Sequence, residues 1–192
     1  MGNKEDLLAA ARACVYERGF AATTARDIAN AAGVSLAAIG YHFGSKERLL
    51  TEALTAESGR EIGDALDERI KAASKDGRSP AEAFPLVWND IAEVFARNRQ
   101  MLVASVENVI RIHRTPSEAA HMSGLLAEAV SELADLVAQS HPELSDEQAR
   151  AIARLYFALL NGLALQWITE PEGELPSGDE LAVAIAALAS RS

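Results

Sequence analysis

Apolar residues recur at spacings of three and four along almost the whole chain, and no convincing stretch alternates with period two. The pattern predicts an all-α protein. Helix starts are legible as capping boxes: Thr24-Ala-Arg-Asp27, Ser79-Pro-Ala-Glu82, Thr115-Pro-Ser-Glu118, Ser145-Asp-Glu-Gln148 and Ser177-Gly-Asp-Glu180. In each, a hydroxyl accepts from a free backbone N–H, and the side chain three residues on reaches back. Pro80 and Pro116 stand at first helical positions, where a missing N–H costs nothing. Gly19, Gly33, Gly44 and Gly77 stand where helices stop. About nine helices follow, over 4–18, 25–32, 35–42, 46–75, 80–97, 99–114, 117–140, 146–169 and 178–190, the fourth with a weak point at Ser58-Gly59. Short helices give way to long ones near residue 50, which divides the chain into an N-terminal part, 1–50, and a larger part, 51–192.

The segment GVSLAAIGYHFGSK, Gly33 to Lys46, is unusual. Its middle is nearly bare of polar side chains, and aromatic and basic groups crowd its last turn. Helix 25–32, the turn Gly33-Val34 and helix 35–42 read as a helix-turn-helix. Gly33 supplies the positive φ of the turn. Ile28, Ala29, Val34 and Ile39 can face one another and Leu8, Ala11 and Val15 of the first helix. A helical hairpin without a ligand has the same pattern, so periodicity alone leaves both readings open.

From Leu7 to Leu50 the chain resembles the DNA-binding domain of the TetR family of tetracycline-repressor-like regulators. The matching residues are Leu7-Leu8-x-Ala10-Ala11, Gly19-Phe20, Thr24-x-Arg26-Asp27-Ile28-Ala29-x-x-Ala32-Gly33-Val34-Ser35 and Tyr41-His42-Phe43-x-Ser45-Lys46-x-x-Leu49. The resemblance covers the first quarter of the chain; beyond it only length and helical character match. It implies a homodimeric repressor that binds a palindromic operator in double-stranded DNA and is released by a small-molecule effector, here of unknown identity. Gly40 departs from the family pattern, which often has an aromatic residue there.

A recognition helix has to enter a major groove about 12 Å wide. Leu36, Ala37, Ala38 and Gly40 thin one side of helix 35–42 and leave apolar contact with thymine methyl groups, while Ser35 offers a hydroxyl. Tyr41, His42 and Lys46 are expected to donate to phosphate oxygens, which fixes register without reading sequence. Thr24 and the start of helix two are expected to do the same on the flanking strand, and Ser45 adds an anion site at the start of helix four. Phe43 is expected in the core.

In the larger part, helix 146–169 is apolar nearly all round beyond Arg154, and helix 178–190 carries no charge between Leu181 and Ser190. Helices apolar on every face need cover on every face. A two-fold, four-helix dimer interface through Tyr156, Leu159, Leu160, Leu163, Trp167, Leu181, Ile185 and Leu188 is expected, with Gly162 allowing close backbone approach; central helices of a monomer are the alternative. Three further stripes, Phe84-Val87-Trp88-Ile91-Phe95, Leu102-Val106-Val109-Ile110-His113 and Leu126-Val130-Leu133-Val137, read as core. The resemblance implies an effector pocket among these helices, lined by Phe84, Trp88, Phe95 and Met101 with polar contacts from Glu107, Asn108 and Arg111. Glu107 and Arg111 also read as a surface i,i+4 pair.

Charge and composition narrow the rest. The net charge is −10, yet residues 1–50 balance at +1, so the remainder carries −11. Such a body argues against non-specific wrapping of nucleic acid, and leaves room for a local near-neutral reading head. With Cys14 the one cysteine, there is no disulfide framework. MGNKEDLLAA lacks the basic and apolar regions of a signal peptide, so a cytoplasmic location is expected. The uncharged run 155–169 is too short for a bilayer, and no membrane partner is expected. His42, His113, His121 and His141 lack metal-ligand spacing, no phosphate loop or serine elbow is present, and neither cofactor nor enzyme activity is expected. A DNA-binding regulator without a small-molecule effector and a helical protein-interaction module remain as alternatives.

Overall fold

The computed structural model describes residues 3–113 and 115–189, apart from the side chains of Asn3 and Ser117. Among them the chain forms eleven α-helices: α1 Asn3–Arg18, α2 Ala25–Ala31, α3 Leu36–Phe43, α4 Lys46–Ser58, α5 Asp64–Ala73, α6 Pro80–Trp88, α7 Ile91–Arg97, α8 Arg99–Ile112, α9 Pro116–Ser140, α10 Asp146–Thr169 and α11 Gly178–Ala189. The all-α class and the helix-turn-helix head are as the sequence predicts. Two predicted helices are each broken. Residues 46–75 pass through a π-helical turn at Gly59–Gly63, next to the weak point at Ser58. Residues 80–97 break at Asn89 and Asp90, where Asp90 takes the left-handed conformation (φ 60°). Asp tolerates that conformation better than most residues.

Four of the five predicted capping boxes form as reciprocal pairs, at Thr24, Ser79, Ser145 and Ser177. The fifth does not. The Glu118 amide bonds to the Thr115 carbonyl at 3.0 Å, and the Glu118 carboxylate lies instead 3.6 Å from Arg111 Nη2.

The chain divides into two compact units. One takes in residues up to Gly59 together with Gln100–Leu125; the other takes in Arg60–Arg99 and the residues from Leu126 onward. The expected division near residue 50 falls inside α4, and the unit that holds the head also contains most of α8 and the start of α9. In that unit Leu7, Ala11, Val15, Phe20, Ile28, Ala29, Ile39, Phe43, Leu49, Leu50 and Ala104 share one buried core. Phe43 is a core residue, as expected.

The second unit packs α6 against α5 and α11, and α7 against α10. An aromatic group anchors it: the Tyr156 ring meets Trp88 edge-on at 5.4 Å and Phe84 at 5.8 Å, centre to centre, while Trp167 lies 6.3 Å from Phe95. Arg69 serves the α6–α7 break. Its guanidinium donates to the carbonyl oxygens of Val87, Asn89 and Asp90 around the break, and the Asp90 carbonyl also accepts from the Glu93 amide at 3.1 Å. By length and composition alone α10 could cross a membrane. Its Tyr156, Leu163 and Trp167 are buried within the chain.

Candidate nucleic-acid interface

The helix-turn-helix is held from within. Ile28 and Ile39 are buried on the facing sides of α2 and α3, and the turn closes with Gly33 at φ 65° and the Val34 amide on the Ala29 carbonyl at 3.0 Å. Fixing Ile39 and Phe43 inward leaves the opposite side of α3 exposed. Leu36 is half exposed, Ala37 and Gly40 are open to solvent, Tyr41 is 86% exposed, and Ala38 and His42 are partly so. Ser35 caps α3 by position, with its hydroxyl making no capping bond. A thin, mostly apolar ridge with a free hydroxyl at one end and an exposed phenol at the other fits a groove that presents methyl groups and hydrogen-bonding edges.

The anchoring groups differ in how free they are. Tyr41 stands edge-on against His42 at 4.9 Å, which stiffens the pair at the end of α3. The Thr24 hydroxyl is already engaged, donating to Asp27 Oδ2 at 2.6 Å and accepting from the Asp27 amide. The donors free at that end are the first-turn backbone N–H groups of α2 rather than the Thr24 side chain. Lys46 is likewise committed: Nζ donates to the Thr23 carbonyl at 2.9 Å and lies 3.5 Å from Glu47. The expected phosphate contact would therefore share the Nζ donors with these two partners. The bond draws the start of α4 to the residue before the α2 cap, so two helix N-termini meet beside α3.

The remaining basic groups sort the same way. Arg12 pairs with Glu57, Arg18 with Asp27 and Glu17, and the Lys4 ammonium lies over the Phe43 ring. Arg26 and Arg48 are exposed and form no ion pair among the described residues. They stand in the first turns of α2 and α4, beside the junction that Lys46 makes. The sequence alone places Arg26 in the matching motif and counts Arg48 only as charge, and assigns a DNA contact to neither. Arg26 has no acid three or four residues away, whereas Arg48 has Glu52 four residues on, and only the fold shows that Glu52 lies 3.7 Å from His121 Nε2 and forms no ion pair with Arg48.

Other expected site residues are placed differently. Phe84, Trp88 and Phe95 are buried in the second unit, and Met101 is buried in the first. Trp88 is 1% exposed, and its indole N–H has no hydrogen-bond partner among the described residues. Glu107 is exposed. The anticipated Glu107–Arg111 pair does not form: Arg111 turns to Thr51, Asn108 and Glu118, so Asn108 and Arg111 belong to a polar cluster in the unit of the head. The α8 stripe is also rotated, with Met101, Leu102, Ala104, Asn108 and Ile112 inward and Val109 and Ile110 exposed.

Of the residues assigned to a dimer seam, Tyr156, Leu163 and Trp167 are buried within the chain itself. Leu159, Leu160 and Leu181 are partly buried, and Ile185 and Leu188 are exposed, Leu188 at 82%. The apolar surface left open on α10 and α11 is carried by Leu155, Leu165, Val183, Ile185 and Leu188.

A hydrophobically cored hairpin that presents one bare helix, with exposed arginines at the flanking helix starts, defines a helix-turn-helix head. Residues 7–53 match the family model "Bacterial regulatory proteins, tetR family". The chain is 38% identical over 82 residues to the HTH-type transcriptional repressor KstR2 of Rhodococcus jostii, covering 43% of this chain and 39% of that one. It is 35% identical over 113 residues to KstR2 of Mycolicibacterium smegmatis, covering 59% and 53%. The matched stretches thus span about half or less of those curated relatives. Among solved structures, the multidrug binding protein EbrR complexed with imidazole has the same fold over 97% of this chain and 93% of its own, with a TM-score of 0.67 at 21% identity.

Proposed function

We infer that the protein is a sequence-specific DNA-binding transcriptional regulator, a repressor that acts as a homodimer on a palindromic operator. One observation carries the reading: α3 keeps its buried side for Ile39 and Phe43 and leaves Ser35, Leu36, Ala37, Gly40 and Tyr41 to solvent, flanked by the unpaired Arg26 and Arg48. Side chains of that kind supply apolar and hydroxyl contacts to base edges, and the arginines and first-turn amides hold phosphates. The repressors named KstR2 that share this head support the sign of regulation.

The dimer is supported by the exposed apolar residues of α10 and α11, a surface of the kind that marks association. Two heads related by a two-fold axis read half-sites about 34–36 Å apart, or a multiple of that. Release by a small molecule is supported by the second unit's aromatic group, in which the Trp88 indole N–H has no acceptor among the described residues. An effector would act by preferring the conformation whose heads do not fit the operator.

Selection of bound fragments from a random DNA pool tests the reading. Enrichment of a palindrome supports head and dimer together; enrichment of nothing rejects the regulator. A second reading, DNA binding without a small-molecule effector, is favoured by the burial of Trp88, and an operator affinity that no apolar ligand alters would select it.

A further inference from the structure

Arg111, in the last turn of α8, is bound on several sides within the unit that contains the head. Its Nη2 donates to Thr51 Oγ1 at 3.1 Å and to Asn108 Oδ1 at 3.0 Å. The guanidinium carbon stands 4.8 Å from the centre of the Phe20 ring, and Glu118 lies 3.6 Å away. Thr51 also donates to Asn108 Oδ1 at 3.2 Å, and Thr51, Asn108 and Phe20 are all buried.

The partners bracket the reading motif. Phe20 lies in the connection before α2, and Thr51 lies in α4, after α3. That connection is itself taut: the Thr23 hydroxyl donates to the Gly19 carbonyl at 2.8 Å, and Lys46 from α4 holds the Thr23 carbonyl. One arginine from a distant part of the chain therefore grips both ends of the helix-turn-helix. Partial burial of a guanidinium contributes little net stability by itself, because desolvation offsets the attraction. What it fixes is geometry, since a planar fork with a flat face fits few arrangements of a ring, a hydroxyl and an amide.

We propose that Arg111 is a positioning residue for DNA binding, which sets the pose of α3 by fixing the α1–α2 connection against α4. The proposal rests on the regulator reading above. Arg111 is placed to touch no DNA. Its loss changes how α3 is presented and leaves the phosphate contacts intact. In a two-headed protein the pose of α3 is read out as a preferred spacing of half-sites.

The test compares the full-length protein with Arg111→Met, which keeps length and apolar bulk and removes the fork, on the selected operator and on versions with one base pair added or removed between half-sites. Arg111→Met is expected to weaken operator binding between about two- and thirtyfold, the range seen for residues that act through others. It is also expected to flatten the spacing preference and to leave the salt dependence on non-operator DNA unchanged. Arg111→Lys, which retains the charge and part of the ring contact, is expected to recover part of the spacing preference. Phe20→Leu and Thr51→Val free one end each and are expected to flatten the preference too, so they decide the matter if Arg111→Met fails to fold.

Wild-type affinity and spacing preference in folded Arg111→Met, or in both end variants if it does not fold, overturn the proposal. So does a matching fall in the salt slope on non-operator DNA, which would make Arg111 a phosphate contact. A wild-type protein that selects no DNA removes the regulator reading and the proposal with it; a wild type that selects, matched by Arg111→Met, removes the proposal alone.

Discussion

Lys46 Nζ donates to the carbonyl oxygen of Thr23 across 2.9 Å, and so ties the first turn of α4 to the residue before the α2 cap. The bond gives the lysine a structural role that Arg48, two residues on, does not have. Lys46→Ala is expected to lower stability by roughly 0.5–1.5 kcal/mol, the net worth of one hydrogen bond. It is also expected to weaken binding to operator and non-operator DNA alike, because two helix starts lose their fixed relation. Arg48→Ala is expected to leave stability within about 0.5 kcal/mol of wild type. Its effect belongs to the salt dependence, where the slope falls by about 0.9 for each phosphate contact removed. Urea melts and salt titrations on both variants separate the roles. Equal stability losses, or an unchanged salt slope for Arg48→Ala, count against the assignment.

Gly40 separates the stability of the head from its use. A Cβ built there meets nothing within 4 Å, and the residue sits inside α3. Gly40→Ala is therefore expected to stabilise the head by about 0.5–1 kcal/mol through helix propensity. The same methyl group thickens the side of α3 that has to approach the bases. Operator affinity is expected to fall while the melting temperature rises. A variant that gains stability and keeps full operator affinity would show that α3 does not meet DNA through this side.

The contrast between these residues shows what was legible before folding. The head was readable because its signals are local: Gly33 and Gly44 take positive φ where the pattern places turns, and the Thr24–Asp27 box forms as spaced. The body was readable in its elements and less so in its faces. Tyr156 and Trp167 lie in a helix apolar all round, so periodicity could not tell an inner side from an outer one, and both face inward. Arg111 has Glu107 one turn away in sequence, yet it finds Thr51, sixty residues distant, because α8 packs with the head. The break at Asn89 and Asp90 was hidden by apolar residues that continue in helical phase across it, from Val87 and Trp88 to Ile91 and Phe95.

Gly178 has a requirement that neither turn chemistry nor periodicity reveals. A Cβ there would come within 2.0 Å of the Pro85 carbonyl oxygen, and the Gly178 amide donates to Asn89 Oδ1 at 2.9 Å. The start of α11 is thus seated against the end of α6. Gly178→Ala is expected to destabilise the second unit by about 1–3 kcal/mol, the usual cost of overpacking. Gly162→Ala is the control, since nothing lies within 4 Å of its Cβ position in the protomer. If α10 meets a second copy at Gly162, the alanine is expected to weaken the dimer, read by sedimentation over a dilution series. If it does not, the variant is expected to gain about 0.5–1 kcal/mol. Thermal melts that place Gly178→Ala level with Gly162→Ala would refute the seating of α11.

The capping carboxylates make stability fall in acid, and their signs can be worked out. The Thr24 hydroxyl and amide hold Asp27 below the ordinary value of 3.8. The Ser79 hydroxyl and amide hold Glu82 below 4.5, and the Ser177 amide and hydroxyl hold Glu180 below 4.5. A carboxylate depressed in the fold contributes stability that is fully present above its unfolded value and is lost as pH falls through its folded value. Asp67 runs the other way. Burial raises it, against the pull of Lys71 and with help from Asp64 and Glu132, so its ionised form destabilises the fold and protonation relieves that cost. Three depressed groups against one raised group predict a stability that holds from about pH 7 to pH 5 and declines below about pH 4.5. The triple variant Asp27→Asn, Glu82→Gln, Glu180→Gln is expected to lose stability at pH 7 and to show a shallower acid decline. Asp67→Asn is expected to gain stability at pH 7 and little at about pH 3, where the native residue is already neutral, which steepens the decline. Urea melts across this range measure each slope, and an acid decline in the triple variant as steep as in wild type would show that these caps do not set it.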